Sequence, residues 1–263
     1  MNIYGVDFSG AVDAGRKIWI AGGQADARGL HLSSCLQAAD LPGGSIKRDP
    51  ALAALRTFIA AQTEAAFGLD FPFGLALPQL PYATWSEFAR RFPEDHPEPA
   101  ALLGRNARRL TDHEAKTPFA PGNLRLYRQT YYGLRDLLAP LVAADAARVV
   151  PMQPPTPGKP LLAEICPAST LKRLGLYAPY KGQSAAHRAQ RERILRHLQR
   201  RGLTLESGIE ALLLEDAEGD ALDSAIAAFT TADCAQRGAF HQPDQPPYTL
   251  EGRVYVGQWD VLI

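Results

Sequence analysis

The sequence contains little cysteine, with only Cys35, Cys166 and Cys234 among 263 residues. An odd number of widely separated cysteines argues against a disulfide framework and against a cysteine-based zinc site. The sequence also lacks an apolar run long enough to cross a bilayer, and it begins with Met-Asn-Ile-Tyr-Gly-Val-Asp, which resembles no secretion signal. We therefore expect a soluble, cytoplasmic protein that does not associate with membranes.

Several common catalytic motifs are missing as well. The six histidines show no paired zinc spacing and no His-Glu-x-x-His motif, which argues against a zinc enzyme. No Gly-x-Ser-x-Gly elbow supports serine hydrolase chemistry, and neither common glycine-rich nucleotide-binding motif is present. The 28 basic and 28 acidic residues give no net charge. This balance argues against binding long nucleic acid mainly through bulk electrostatics.

Charge is nevertheless distributed unevenly along the chain. Residues 181–201 contain one acid, Glu192, and seven basic residues: Lys181, Arg188, Arg191, Arg193, Arg196, Arg200 and Arg201. Residues 203–233 contain eight acids and no lysine or arginine. Two interpretations stay open: two solvated helix faces that partly neutralise each other, or a basic substrate-facing surface beside an acidic metal site.

The order of apolar runs and turn residues predicts an α/β fold. The first part reads β-β-β-α-β, with strands over Asn2–Asp7, Lys17–Ala21, Gly29–Ser33 and Ala65–Asp70, a helix over Asp49–Gln62, and Gly15 in the turn of the first hairpin. Residues 75–148 are rich in aromatics, prolines and basic residues, and we expect a helical insertion that protrudes from the domain. A strand over 161–166, helices over 184–201, 205–214 and 218–236, and an edge strand over 253–256 follow. The whole chain, 1–263, is predicted to form one domain, a mixed sheet of about five strands flanked by helices. The first three strands are expected to be antiparallel, and the strands that end at Asp7 and Asp70 are expected to be neighbours.

Two aspartates stand at the ends of apolar strands. Asp7 and Asp70 each precede a loop that contains glycine. Ligands of open α/β sheets bind beyond the carboxyl ends of the strands, so the two carboxylates are expected to meet there. Carboxylates at close range usually share a proton or a cation. The alternative is that each aspartate only caps the turn that follows it.

A second acidic pair lies in the last long predicted helix. Asp220 and Asp223 are three residues apart, so they share one helix face, and apolar residues surround them. Their mutual repulsion is unfavourable without a partner. The alternative is an acidic first turn that complements the helix dipole.

The combination of motifs is more specific than any one of them. The segments are Gly-Val-Asp-Phe-Ser-Gly-Ala, Gly-Leu-Asp-Phe-Pro-Phe-Gly, Ala-Glu-Ile-Cys-Pro-Ala, Tyr-Lys-Gly, Gly-Asp-Ala-Leu-Asp-Ser-Ala-Ile-Ala-Ala and Glu-Gly-Arg-Val-Tyr-Val. In this order, and over the whole chain, they resemble domain of unknown function family 429, described as predicted ribonuclease H-like nucleases. The resemblance implies a ribonuclease H-like fold and Mg²⁺- or Mn²⁺-dependent hydrolysis of phosphodiesters.

The resemblance also implies roles for the acids. Asp7 would bridge two metal ions, Asp70 and Asp223 would each complete one metal site, and Asp220 would be a ligand or an outer-shell base. Carboxylates of Asp7, Asp70 and at least one of the helix aspartates should approach to roughly 4 to 8 Å. Glu164 would be a further catalytic acid in the cleft, or a residue that orients Lys181 or an arginine of the insertion.

Three cations are candidate contacts for a nucleic acid or another phosphodiester substrate. Lys181, in Pro-Tyr-Lys-Gly-Gln, suits a phosphate contact, although loop lysines are often merely solvated. Arg125 and Arg128 lie among aromatics of the insertion and suit phosphates and stacked bases. The same residue types also form ordinary helix surface.

Two other functions remain compatible with this sequence. One is an ATP-dependent phosphotransferase on the same fold, although that architecture usually needs two such domains about a nucleotide cleft. The other is a catalytically inactive binding module that keeps the ribonuclease H-like fold, which the neutral net charge favours slightly.

Overall fold

The computed structural model describes residues 1–259, which form a mixed sheet with helices on both faces. Within this range the strands are β1 (Asn2–Asp7), β2 (Trp19–Asp26), β3 (Gly29–Gln37), β4 (Ala65–Asp70), β5 (Arg148–Val150), β6 (Leu161–Ile165), β7 (Leu203–Leu205) and β8 (Val254–Tyr255). Their order is β5-β6-β4-β1-β2-β3-β7, and β8 pairs with β6. The β1–β2 and β2–β3 pairs are antiparallel, and the other pairs are parallel. The predicted antiparallel β1-β2-β3 unit is confirmed.

The helices occupy the connections between these strands. The α-helices are α1 (Ala14–Lys17), α2 (Arg48–Ala60), α3 (Trp85–Asp95), α4 (Leu110–Glu114), α5 (Tyr127–Tyr132), α6 (Ala139–Ala143), α7 (Pro167–Arg173), α8 (Ala185–Gln199), α9 (Ile209–Glu215), α10 (Asp220–Gln236) and α11 (Tyr248–Glu251). A π-helical segment, Gly133–Leu138, joins α5 to α6. Short 3₁₀ turns cover Ala38–Asp40, Leu77–Gln79, Pro99–Leu102 and Ala239–His241. No helix among the described residues is long and apolar enough to cross a membrane.

Helix α10 lies directly on the central strands because small residues line the contact. A Cβ atom on Gly5 of β1 would lie 2.1 Å from the backbone nitrogen of Ala228, and one on Gly68 of β4 would lie 2.0 Å from the hydroxyl of Thr231. Glycine therefore permits this close approach of helix and sheet. The first turn of α10 consequently lies beside Asp7, at the carboxyl end of β1.

The segment 75–148 covers the opposite face of the sheet. Trp85, Phe88 and Leu134 are buried in the same apolar cluster as Phe67 and Leu69 of β4. The segment is largely helical, but the prediction that it protrudes is wrong. Its many aromatic and leucine side chains complete a core that α2 alone does not cover.

Short elements account for the remaining differences from the sequence prediction. The sheet has eight strands among residues 1–259, whereas about five were predicted. The three-residue strands β5 and β7 were missed because so short a run gives almost no periodic signal, whereas β8 lies within the edge strand predicted over 253–256. Gly15 lies within α1, where a Cβ would stand 1.9 Å from the carbonyl oxygen of Ser45, so it serves a close contact rather than a hairpin turn. The helix predicted from Leu205 begins at Ile209, after Gly208 with φ of 86°.

Candidate metal centre

Asp7 and Asp70 end the two central parallel strands. They are partners in the β1–β4 register, as the sequence predicted for adjacent strands. Burial raises the pKa of both carboxyls above the usual range, and the negative charge of Asp223 raises each pKa further. Within residues 1–259 neither side chain accepts a hydrogen bond from the turn that follows it. A capping role therefore does not account for them.

The first turn of α10 brings two more carboxylates to the same place. One oxygen each from Asp7, Asp220 and Asp223 forms a group whose members all lie within 4.8 Å of one another. Asp216, which precedes this helix, accepts hydrogen bonds from the backbone nitrogens of Ala221 in the first turn at 2.8 Å and of Glu218 at 3.2 Å. The pair on α10 thus converges on Asp7 rather than only satisfying the helix end. We call these three residues, with the neighbouring Asp70, the acidic cluster.

Lys181 supplies a positive charge to the acidic cluster. Its ammonium lies 2.9 Å from Asp220 Oδ1 and 2.8 Å from Asp223 Oδ2. Burial alone would lower the pKa of Lys181, but the surrounding carboxylates raise it above its usual value. The hydroxyl of Tyr180 donates to Asp223 Oδ1 at 2.6 Å. In this structure Lys181 is therefore a counter-ion of the acids, whereas the sequence suggested a phosphate contact.

A buried arginine holds the loop that carries Tyr180 and Lys181. The guanidinium of Arg191 donates to the carbonyl oxygens of Tyr180 at 2.6 Å, Gly182 at 3.0 Å and Leu214 at 2.9 Å. Sequence reasoning counted Arg191 only as part of a basic helix. The sequence did contain a signal for its burial, because Arg191, Ile194 and Leu198 lie on one face of the helix and the other two are apolar.

Two other arginines of α8 form ion pairs along the helix itself. Arg188 and Arg196 each lie 3.5 Å from Glu192 on the same helix. Since all three side chains are partly exposed, these contacts support the interpretation of α8 as a solvated helix face.

Glu164 belongs to a separate buried ion-pair network. Its oxygens accept hydrogen bonds from Arg109 at 2.7 and 2.5 Å, and Oε2 also accepts one from the backbone nitrogen of Phe73 at 2.9 Å. Arg109 also pairs with Asp112 at 2.9 Å. Glu164 thus orients an arginine of the 75–148 segment, which is one of the roles that the sequence left open.

A cavity of about 540 Å³ opens beside the acidic cluster. Asp70, Asp223 and Lys181 contribute to its wall, and Arg125 lines it from the 75–148 segment. Arg128 is not among the lining residues, and its Nε donates to the hydroxyl of Tyr127 at 2.8 Å. Of the two insertion arginines proposed from the sequence, the structure thus places Arg125 at the cavity and Arg128 outside it.

Comparison with protein-family profiles, with curated proteins and with solved structures gives no match. The structure itself establishes the architecture, which is a mixed β-sheet flanked by helices. The chemistry of the cavity has to be inferred from its own residues.

Replacing Lys181 with methionine is expected to destabilise the metal-free protein on the order of 1 kcal/mol at pH 8, and by less at pH 5. The expected loss of stability is modest because the lysine side chain is 47% exposed and water screens its ion pairs. Without the ammonium, the pKa values of Asp7, Asp70 and Asp220 rise further, because the charge of Lys181 lowers each of them in wild type. The folded variant then binds more protons than wild type between pH 5 and 8, so its stability falls more steeply as pH rises.

Urea titrations of wild type and Lys181→Met at both pH values measure this difference. Lys17→Met is the matched control, because Lys17 forms an exposed ion pair with Asp13 at 3.4 Å, outside the acidic cluster. If Lys181→Met changes the free energy of unfolding as little as Lys17→Met does, and equally at both pH values, Lys181 is not the counter-ion of the acids.

Proposed function

We propose that the acidic cluster binds Mg²⁺ or Mn²⁺ and that the protein hydrolyses phosphodiesters on a ribonuclease H-like fold. The observation that carries the proposal is the convergence of Asp7, Asp220 and Asp223 oxygens within 4.8 Å, from a strand and a helix far apart in sequence. The antiparallel β1-β2-β3 unit, continued by parallel β4, supports the ribonuclease H-like assignment.

The donor set fits a hard divalent cation. All the donors are carboxylate oxygens, which Mg²⁺ and Mn²⁺ prefer, and no histidine or cysteine belongs to the group. Asp7 and Asp223 are buried, so their negative charges are costly without a positive partner. Lys181 only partly compensates for these charges, because it is half exposed and contacts Asp220 and Asp223 but not Asp7.

Residues of the chain itself would prepare this site for hydrolysis. Asp7, Asp220 and Asp223 would hold the cation, and Tyr180 fixes the orientation of Asp223 through its hydroxyl. The bound ion would supply Lewis acidity toward a phosphodiester oxygen and lower the pKa of a water molecule. Asp70 has a raised pKa and a carboxylate without hydrogen bonds within residues 1–259, so it can complete the cation site or take the proton of the attacking water.

A catalytically inactive binding module is the second candidate, and the position of Lys181 favours it. An ammonium group within 2.9 Å of Asp220 and Asp223 occupies part of the volume that a divalent cation needs. If Lys181 stays there, the protein keeps a neutralised acidic cluster and binds no metal. Metal titration separates the two functions.

Asp223→Asn is expected to weaken Mn²⁺ binding by at least about tenfold, as measured by isothermal titration calorimetry. Asp233→Asn is the control, because Asp233 lies on the same helix but pairs with Arg237 at 2.7 Å. Hydrolysis of labelled single-stranded and structured DNA and RNA, and of small phosphodiesters, should require Mn²⁺ or Mg²⁺ and should be lost only in Asp223→Asn.

The two candidate functions give opposite outcomes in this experiment. Wild-type protein that binds neither ion, or that hydrolyses none of these substrates, would overturn the proposed phosphodiesterase. Absence of metal binding would favour the inactive module.

A further inference from the structure

The cavity beside the acidic cluster has two walls that come from distant parts of the chain. One wall is formed by residues 117–126, and the other by residues 177–181. Its volume of about 540 Å³ lies within the range of small-molecule sites, roughly 300 to 1,000 Å³. A space of this size accommodates a single small ligand or one unit of a polymer, and it does not enclose a duplex.

Each wall carries an aromatic ring with a cation over one face. The guanidinium of Arg125 lies 5.5 Å from the ring centre of Phe119, and the ammonium of Lys172 lies 4.9 Å from that of Tyr177. Lys172 also donates to the carbonyl oxygen of Lys116 at 2.6 Å, so it joins the two walls. Phe119 and Tyr177 both line the cavity, one from each wall.

Tyr177 belongs to neither buried apolar cluster of residues 1–259. Its side chain is 53% exposed, and it lines the cavity. Aromatic faces in a cavity with arginine and lysine nearby are suited to stacking with a nucleobase, and they accept any base because every base has a π-face.

The part of the cavity next to the acidic cluster offers different chemistry. Lys181 lines the cavity there together with Asp70 and Asp223. A phosphate placed there would meet the lysine ammonium and the proposed cation, whereas carboxylates alone would repel it. A ligand that contacts both the aromatic rings and the residues next to the acidic cluster must therefore combine a planar apolar group with a phosphate.

We propose that this cavity binds one nucleotide unit, with its base against Phe119 and Tyr177 and its phosphate toward Lys181. The phosphate position rests on the proposed function, since it needs the divalent cation, whereas the base position does not. The unit is either a free nucleotide or the terminal nucleotide of a single strand. Duplex nucleic acid does not fit the cavity.

Adenosine monophosphate is a suitable probe because it contains no phosphodiester to hydrolyse. With Mn²⁺ present, it is expected to bind wild-type protein more tightly than inorganic phosphate does. Phe119→Ala and Tyr177→Ala should each weaken its binding by about tenfold, as expected for the loss of one stacking partner. Both variants should leave the affinities for Mn²⁺ and for inorganic phosphate unchanged.

Leu124→Ala is the matched control, because Leu124 is 72% exposed on the same wall but does not line the cavity. Tyr177→Ala removes an exposed side chain, so it remains informative if Phe119→Ala fails to fold. The proposal is overturned if the nucleotide binds no more tightly than inorganic phosphate, or if Tyr177→Ala binds it as wild type does.

Failure of metal binding is distinguishable from failure of this proposal. If calorimetry detects no Mn²⁺ binding, the proposed function fails, and adenosine monophosphate is then titrated in the presence of EDTA. If it binds wild type and binds Tyr177→Ala more weakly, the cavity proposal is supported. If it does not bind wild type, the cavity proposal is overturned. Displacement of a bound fluorescent nucleotide then identifies the ligand. If a single-stranded oligonucleotide displaces it, the ligand is the terminal nucleotide of a strand. If only free nucleotides displace it, the ligand is a free nucleotide.

Discussion

Arg109→Met is expected to lower the free energy of unfolding by about 3 to 5 kcal/mol. The guanidinium is 1% exposed and lies between Asp112 and Glu164. It also donates to the carbonyl oxygen of Glu251 at 3.1 Å. Removing it leaves two buried carboxylates without their cation, and the cost of burying those charges then appears in full.

The loss of stability in Arg109→Met should depend on pH. In wild type, hydrogen bonds and charge from Arg109 outweigh the effect of burial and hold the pKa of Asp112 below its usual range. That pairing therefore contributes stability above the usual aspartate pKa, and the contribution is lost as pH falls through the lowered pKa. In Arg109→Met the orphaned carboxylates take up protons, so the loss of stability should be larger at pH 8 than at pH 5.

Thermal melts and urea titrations measure the effect. A loss of 3 to 5 kcal/mol corresponds to a decrease in Tm on the order of 10 °C for a chain of this length. Arg108→Met is the control, because the neighbouring Arg108 is exposed and contacts the Thr117 hydroxyl and backbone carbonyls, and it pairs with no carboxylate of residues 1–259. If Arg108→Met and Arg109→Met destabilise equally, the ion-pair network is not the cause.

The network also has a structural consequence for the cavity. Arg109 precedes α4, Glu164 is on β6 and Glu251 is on α11, so one side chain links the 75–148 segment to the sheet and to a late helix. Arg109 and Glu164 both line the cavity. Loss of the network is thus expected to loosen the wall that carries Phe119 and Arg125.

Local sequence patterns were sufficient to predict where Asp7 and Asp70 lie. Each follows an uninterrupted apolar run, and each run became a central strand with the predicted bounds. The carboxyl ends of parallel neighbours meet at one edge of a sheet, so adjacency of the two residues followed from the predicted order. The three-residue spacing of Asp220 and Asp223 likewise predicted that they share one face of a helix.

The partners of the buried charges could not be predicted from sequence. Arg109 and Glu164 are 55 residues apart, and Lys181 and Asp220 are 39 apart. A charged residue is buried only when a distant partner satisfies it, and local periodicity carries no information about that partner. This is also why the sequence did not predict the ion pairs of Lys181 with Asp220 and Asp223.

Asp7→Asn is expected to abolish metal binding and any hydrolytic activity while leaving the metal-free protein as stable as wild type or more stable. Asp7 lies in the carboxylate group with Asp220 and Asp223 and has no cation of its own within residues 1–259. Neutralising it relieves repulsion and the cost of burying a negative charge. If Asp7 only capped a turn, asparagine would be nearly neutral and metal affinity would not change.

The raised pKa of Asp7 determines how stability should vary with pH. Burial, followed by the charge of Asp223, raises this pKa, so the folded protein retains a proton that the unfolded chain has already lost. Wild-type stability therefore falls as pH rises from the usual aspartate value, near 4, toward the raised value. Asp7→Asn lacks this dependence, and its advantage in metal-free buffer should grow as pH rises through that window.

Thermal melts with and without Mg²⁺ or Mn²⁺ separate these possibilities. A ligand that binds only the folded state at 100 times its Kd stabilises it by about 2.7 kcal/mol, which raises Tm by roughly 5 to 10 °C for a chain of this length. Wild type should show this increase, and Asp7→Asn should not. Asp13→Asn should behave as wild type, because Asp13 is half exposed and pairs with Lys17 outside the acidic cluster. An equal response of wild type and Asp7→Asn to metal would mean that Asp7 is not a ligand, because mass action requires the variant that cannot bind the ion to lose the stabilisation.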